Sequence, residues 1–114
     1  MSERDYGVYL KDIQIACEKI LRYSNGLELD TFKNNELVVD AVIRNLEITG
    51  EAVKNLPQQI RKKYPEIDWK KIAGLRDILI HEYFGIDHEL IWDIIQNKII
   101  DLKIQIENIL REMI

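Results

Sequence analysis

Glycine and proline are scarce in this chain, five and two among 114 residues. A β-sandwich needs frequent turns, which these residues build, so their scarcity favours an all-α fold. Cysteine is scarcer still. Cys17 is the only one, which excludes an internal disulfide and fits a reducing cytoplasm. No apolar run approaches the ~20 residues of a membrane span. The N-terminal MSERDYGVYL has no apolar segment of the length a secretory signal needs. A cytoplasmic protein with no membrane partner is therefore expected. Two histidines and one cysteine lie far apart, without metal-ligand spacing. There is no glycine-rich phosphate loop and no serine in a nucleophile setting. Neither a metal nor a cofactor is expected. Positive charge is not in excess either. Sixteen Lys and Arg stand against twenty Asp and Glu, a net charge of −4, which argues against a generic polyanion binder.

What is present is ordinary for a globular protein. Apolar residues make up 46% and charged residues 32%, enough for one domain over residues 1–114 with a single core. Tyr6, Leu10, Ile13, Cys17 and Ile20 form one helical stripe over residues 5–23. Cys17 then reads as a small buried hydrophobe and not as a nucleophile. Ser24, Asn25 and Gly26 end that helix. A second helix is expected from residue 31 or 34 to 56, with Asp30 as its N-cap. Its stripe reads Val38 or Val39, Val42, Leu46, Thr49, Val53 and Leu56. Pro57 suits the first turn of a short helix over 58–63. A fourth helix is expected over 69–84, capped by Asp68 and stopped by Gly85. Asp87 caps a fifth, from 88 to near 114, with a stripe of Ile91, Ile95, Ile99, Leu102, Ile106, Ile109 and Met113. Ile94, Ile100, Ile104 and Leu110 lie partly off that stripe. A surface so wide predicts burial on two sides, the second supplied by another subunit.

The fourth helix carries an oddity. Trp69, Ile72, Ala73, Leu79, Ile80 and Tyr83 all fall within about 60° of Arg76 in helical projection. An arginine on an apolar face needs a partner. Asp40, Arg44, Glu47 and Glu51 share one face of the second helix, so Glu47 or Glu51 is one candidate. The same four residues also suit pairing among themselves on an exposed face. Alternatively Arg76 lines a cleft between two subunits, with Trp69 and Tyr83 at its walls, and meets an RNA phosphate. His81 follows five residues later, about 140° around the helix. Asp77 lies one turn before it and suits orienting the imidazole and raising its pKa. A lone histidine on a helix is more often structural. RNA carries its own nucleophile, the 2′-hydroxyl, so cleavage asks only for a proton-transfer group and a cation. His81 and Arg76 are of those types. Between residues 61 and 76, six basic residues (Arg61, Lys62, Lys63, Lys70, Lys71 and Arg76) outnumber Glu66 and Asp68. Such a patch either attracts phosphate or is a solvated face.

Residues 76–83, RDILIHEY, resemble the R-x4-H-x-Y signature of the HepT-like toxins, all-helical ribonucleases of the HEPN superfamily. AVIRNLEITGEAVKNLP at 41–57, KYPEIDWKKIAGLRDILIHEYFGID at 63–87 and the following Trp92 resemble that family's blocks, in its order. The resemblance implies an up-down bundle of about four to five helices that forms a homodimer. Arg76 and His81 of each subunit would face a shared cleft. It implies metal-independent RNA cleavage, with Arg76 stabilising the phosphate and His81 transferring a proton or holding the 2′-hydroxyl. It also implies a toxin–antitoxin pair, whose antitoxin is a minimal nucleotidyltransferase of the MNT type that transfers AMP to Tyr83. A second reading is a non-catalytic adaptor or nucleotide-binding partner of such a nucleotidyltransferase.

Overall fold

A computed structural model of the chain describes residues 3–81 and 85–113, with side chains for 6–75, 77 and 85–113. It is all-α, with no strand among the described residues. Helix α1 spans Glu3–Ser24. Gly26 follows it at φ 81°, a left-handed turn that glycine adopts without steric cost. All five residues of the expected α1 stripe are buried, Tyr6 at its start and Ile20 at its end.

The expected second helix is two helices. A short α2, Leu29–Lys33, precedes the long α3, Glu36–Lys54. The break has a local cause. The Asn35 side chain accepts a hydrogen bond from the Val38 amide at 3.2 Å, so Asn35, and not Asp30, caps the long helix. Asp30 instead lies inside α2, where Thr31 Oγ1 accepts from the Glu28 amide at 2.8 Å. Phe32 of α2 is fully buried and sits 5.2 Å from the Trp92 ring, centroid to centroid. Along α3, Val39, Val42, Leu46, Thr49 and Val53 are buried. Thr49 escapes the cost of an unpaired hydroxyl by donating to the Asn45 carbonyl at 2.8 Å.

Helix α4 is Gln58–Lys63 and α5 is Trp69–His81. The expected end of the latter helix at residue 84 lies outside the described residues. Gly85 has φ 113°, a conformation that glycine adopts without steric cost. Asp87 caps α6, His88–Ile94, by accepting from the Leu90 amide at 3.0 Å. His88 is half-buried at the first position of α6. A π-helical turn over Ile95–Ile99 joins α6 to α7, Ile100–Glu112. Ile91, Ile95 and Ile99 are spaced by two successive steps of four, each overrunning an α-helical turn by about 40°. The wider π turn absorbs that excess and keeps all three buried.

The helices pack in the order α5, α3, α1, α7, with α2 bridging α3 and α6. One continuous apolar core runs through them. Helices α1 and α7 are antiparallel: Gln14 donates to Glu107, while Gly7 lies beside Met113. The wide apolar surface of the last helix is partly explained within the chain. Ile94 and Leu110 pack on the core, whereas Ile100 and Ile104 remain 48% and 50% exposed. Burial raises the Cys17 thiol to about 12, so it stays protonated and inert.

Leu46→Ala and Ile95→Ala should each cost about 2–5 kcal/mol in urea unfolding. Leu37→Ala, at a position 80% exposed, should stay within about 0.5 kcal/mol. Similar small losses at all three sites would mean that the stripes do not carry the core. In the native protein, Cys17 should resist a thiol reagent and react fully only in denaturant.

Candidate active site

Two of the candidate site residues, Arg76 and His81, belong to α5, and several contacts fix where that helix starts and how it is rotated. Asp68 caps its first turn, accepting from the Lys71 amide at 3.2 Å. Trp69 is 5% exposed, and its indole N–H donates to the Tyr64 carbonyl at 2.9 Å. Tyr64 in turn donates its hydroxyl to Glu112 at the end of α7. That carboxylate acceptor raises the Tyr64 hydroxyl to about 12. The segment entering α5 is thereby tied to the far end of the bundle.

Trp69 is therefore a core residue and not the wall of an open cleft. Its indole N–H is paired within its own chain and its ring is almost wholly buried. Ile72 and Ala73 are half-buried and pack on the same core. Position 76 shares the helical face of these three residues.

The opposite side of α5 is open. Positions 70, 74, 77 and 81 are spaced by four, three and four, so they form one stripe within about 60°. Lys70 and Asp77 are exposed, and Gly74 is half-exposed. Arg76 and His81 therefore belong to different sides of α5. Their side chains, and Tyr83 entirely, lie outside the described residues, so no contact among the three is described.

The supporting residues on α3 gather at a groove of 330 Å³ shared with α1. Arg44, Glu47, Glu51 and Asn55 line it together with Tyr9 and Asp12. Arg44 Nη1 lies 3.9 Å from Glu47 Oε2, with Arg44 72% exposed. That contact belongs to the self-pairing reading of this acidic face and is worth a few tenths of a kcal/mol. The pairing expected between Glu47 or Glu51 and Arg76 involves a side chain outside the described residues. No group of three or more metal-ligating side chains occurs among the described residues.

The basic patch is smaller than the sequence suggests. Lys62, Lys63, Lys70 and Lys71 are exposed. Arg61 is committed to structure: its Nη2 donates to the Val53 carbonyl at 2.6 Å. Val53 is in the last turn of α3, and its carbonyl also accepts from the Leu56 amide at 3.1 Å. The sequence gives no signal for this contact, because it depends on how α4 folds back on α3.

Comparison with known proteins adds to this geometry. A family model described as "Ribonuclease HepT-like" matches residues 13–109. "Putative RNase MJ0127" of Methanocaldococcus jannaschii is 43% identical, covering 99% of this chain and 93% of that protein. "Putative RNase TTE0752" of Caldanaerobacter subterraneus subsp. tengcongensis is 42% identical, covering 91% of this chain and 93% of its own. "Probable ribonuclease HepT" of Thermococcus cleftensis is 38% identical, covering 94% of this chain and 97% of its own. No solved structure matches.

Arg61→Ala should lower stability by about 1 kcal/mol, because it removes the hydrogen bond that ties α4 to the Val53 carbonyl at the end of α3. Lys62→Ala should leave stability unchanged. Equal effects in thermal and urea unfolding would remove the anchoring role of Arg61.

Proposed function

The chain belongs to the HepT-like ribonuclease family, and from that premise we propose that it is a metal-independent RNA endonuclease, the toxin of a toxin–antitoxin pair. The observation that carries this reading is the R-x4-H-x-Y motif at Arg76, His81 and Tyr83, within a chain matched over residues 13–109. The first two of these positions lie on one continuous helix.

The chemistry follows from the residue types. The 2′-hydroxyl of RNA attacks the adjacent phosphorus, and the bond to the 5′ oxygen of the next nucleotide breaks. A base takes the 2′ proton, and the departing oxygen gains one. His81 serves that proton transfer. Arg76 meets the negative charge that grows on the phosphate oxygens, with a guanidinium that stays charged at every working pH. Because the nucleophile belongs to the substrate, the scheme does not call on a metal-bound water.

Arg76 and His81 diverge by about 140° around one helix. A homodimer resolves that divergence by letting a cleft combine groups from two copies of α5. The partner of opposite function is a minimal nucleotidyltransferase of the MNT type. AMP transferred to Tyr83 would add negative charge and bulk seven residues after Arg76 in the sequence. RNA phosphate would then be repelled from the cleft.

RNA cleavage in EDTA tests the activity. Wild type should cut, while Arg76→Ala and His81→Ala should each lose about a hundredfold or more. No cleavage by unmodified wild type would instead favour a non-catalytic adaptor of the nucleotidyltransferase. Light scattering should give a dimer mass at micromolar concentration, and a monomer would undo the shared cleft. Co-expression with the antitoxin should raise the intact mass by one AMP, and Tyr83→Phe should prevent that rise.

A further inference from the structure

Helix α5 is lightly seated. Of its described side chains, those of residues 69–75 and 77, only Trp69 is buried. Ile72, Ala73 and Leu75 are half-buried against the core, while Lys70, Lys71 and Asp77 are exposed. The helix also stands at the outer end of the order α5, α3, α1, α7, with α3 as its main neighbour. A helix held by so little apolar surface depends on the polar contacts at its entry to fix its place.

Those contacts converge on Tyr64, which follows the last residue of α4 and stands five residues before Trp69. The Tyr64 carbonyl accepts from the Trp69 indole at 2.9 Å and from the Ile67 amide at 3.3 Å, so both of its lone pairs are in use. The Trp69 amide in turn donates to the Ile67 carbonyl at 2.9 Å. The Tyr64 hydroxyl donates to Glu112, 48 residues further on, at the end of α7. Lys63 Nζ lies 5.6 Å from the centroid of the Tyr64 ring and covers one of its faces. Helix α7 is the other outer end of the packing order. Tyr64 is thus a strut between the two outermost helices, bonded to the first residue of α5 by its backbone and to the last residue of α7 by its side chain. Glu112 is exposed, and one exposed hydrogen bond adds little to global stability. What it sets is where the Tyr64 carbonyl, and with it the start of α5, stands relative to the rest of the bundle.

Building on the ribonuclease reading above, we propose that Tyr64 is a positioning residue for the reaction on α5, and that Glu112 is the acceptor that holds it in place. Neither touches RNA. Helix α5 is continuous from Trp69 to His81, so a shift at its entry is carried along the backbone to positions 76 and 81. Reaction rate is far more sensitive to such a shift than stability is.

Glu112→Ala and Tyr64→Phe should each lower kcat for RNA cleavage about tenfold and leave KM within about twofold of wild type. The double variant should be no slower than either single one, because both substitutions remove the same bond. Glu112→Gln keeps an acceptor oxygen and should restore the rate. All of these variants should melt close to wild type. Asn35→Ala, which removes the cap of α3, is the control for stability: it should melt lower than they do and keep the wild-type kcat. A second readout needs no catalysis. In NMR spectra of the indole N–H groups, the Trp69 signal should move and exchange faster with solvent in Glu112→Ala, while that of Trp92, which packs on Phe32, should stay. An unmoved Trp69 signal would overturn the proposal. So would a Tyr64→Phe kcat within about twofold of wild type, additive losses in the double variant, or an Asn35→Ala protein that is equally slow. Wild type that never cuts RNA, with a Trp69 signal that moves in Glu112→Ala, would reject the nuclease reading and leave the strut standing.

Discussion

The packing of α5 on α3 is the constraint from which the rest of the site follows. Helix α3 lies between α1 and α5, and its stripe of Val39, Val42, Leu46 and Val53 is buried. A helix covered on both sides cannot rotate without exposing apolar area, at about 25 cal/mol for each Å². Its neighbour is held in turn. Trp69, Ile72 and Ala73 bring one face of α5 to the core, and the α-helical repeat then dictates every other direction. Positions 70 and 77 are turned away from the core and are exposed. The chemistry proposed here is thus set by a packing decision made several residues earlier.

The start of α5 is secured more elaborately than a surface helix needs. Asp68 satisfies a first-turn amide, the Trp69 indole bonds the Tyr64 carbonyl, and Tyr64 reaches Glu112 of α7. Arg61 joins α4 to the end of α3 through Val53. Each contact alone is worth about 1 kcal/mol. Together they fix translation as well as rotation, because they act at three different points around the helix entry. A reacting group misplaced by about 1 Å costs roughly a hundredfold in rate. Rigid entry into α5 is therefore a functional property as much as a structural one.

Much of this was legible in the sequence, and the exceptions share a cause. Apolar spacing gave the buried faces of α1, α3 and the last helix, since burial imposes a period that survives in the residue order. Caps at Asp68 and Asp87 were legible because capping is local. The break at Asn34 and Asn35 was not, because Asp30 and Asn35 are both good caps and only the packing of Phe32 on Trp92 gives the short α2 a place. The π turn over Ile95–Ile99 appeared in the sequence only as a continuous stripe. Trp69 was misplaced to a cleft wall, and Arg61 was counted as free charge. Both errors concern partners distant in space: the Tyr64 carbonyl closes over the indole and the Val53 carbonyl takes the guanidinium. Residue type states what a side chain can do. Only the fold states whether it is already engaged.

Charge is the remaining tension in the proposed function. A chain of net charge −4 repels RNA at long range, so attraction must come from few groups at short range. With Arg61 committed to the fold, the exposed lysines near the start of α5 are what remains of the basic segment outside the proposed active residues. A binder built this way gains little from a broad electrostatic field, and ions screen what it has within about 10 Å at ordinary salt. Under the proposed function, a single AMP on Tyr83 would be an effective block, because one added phosphate is large against so few lysines.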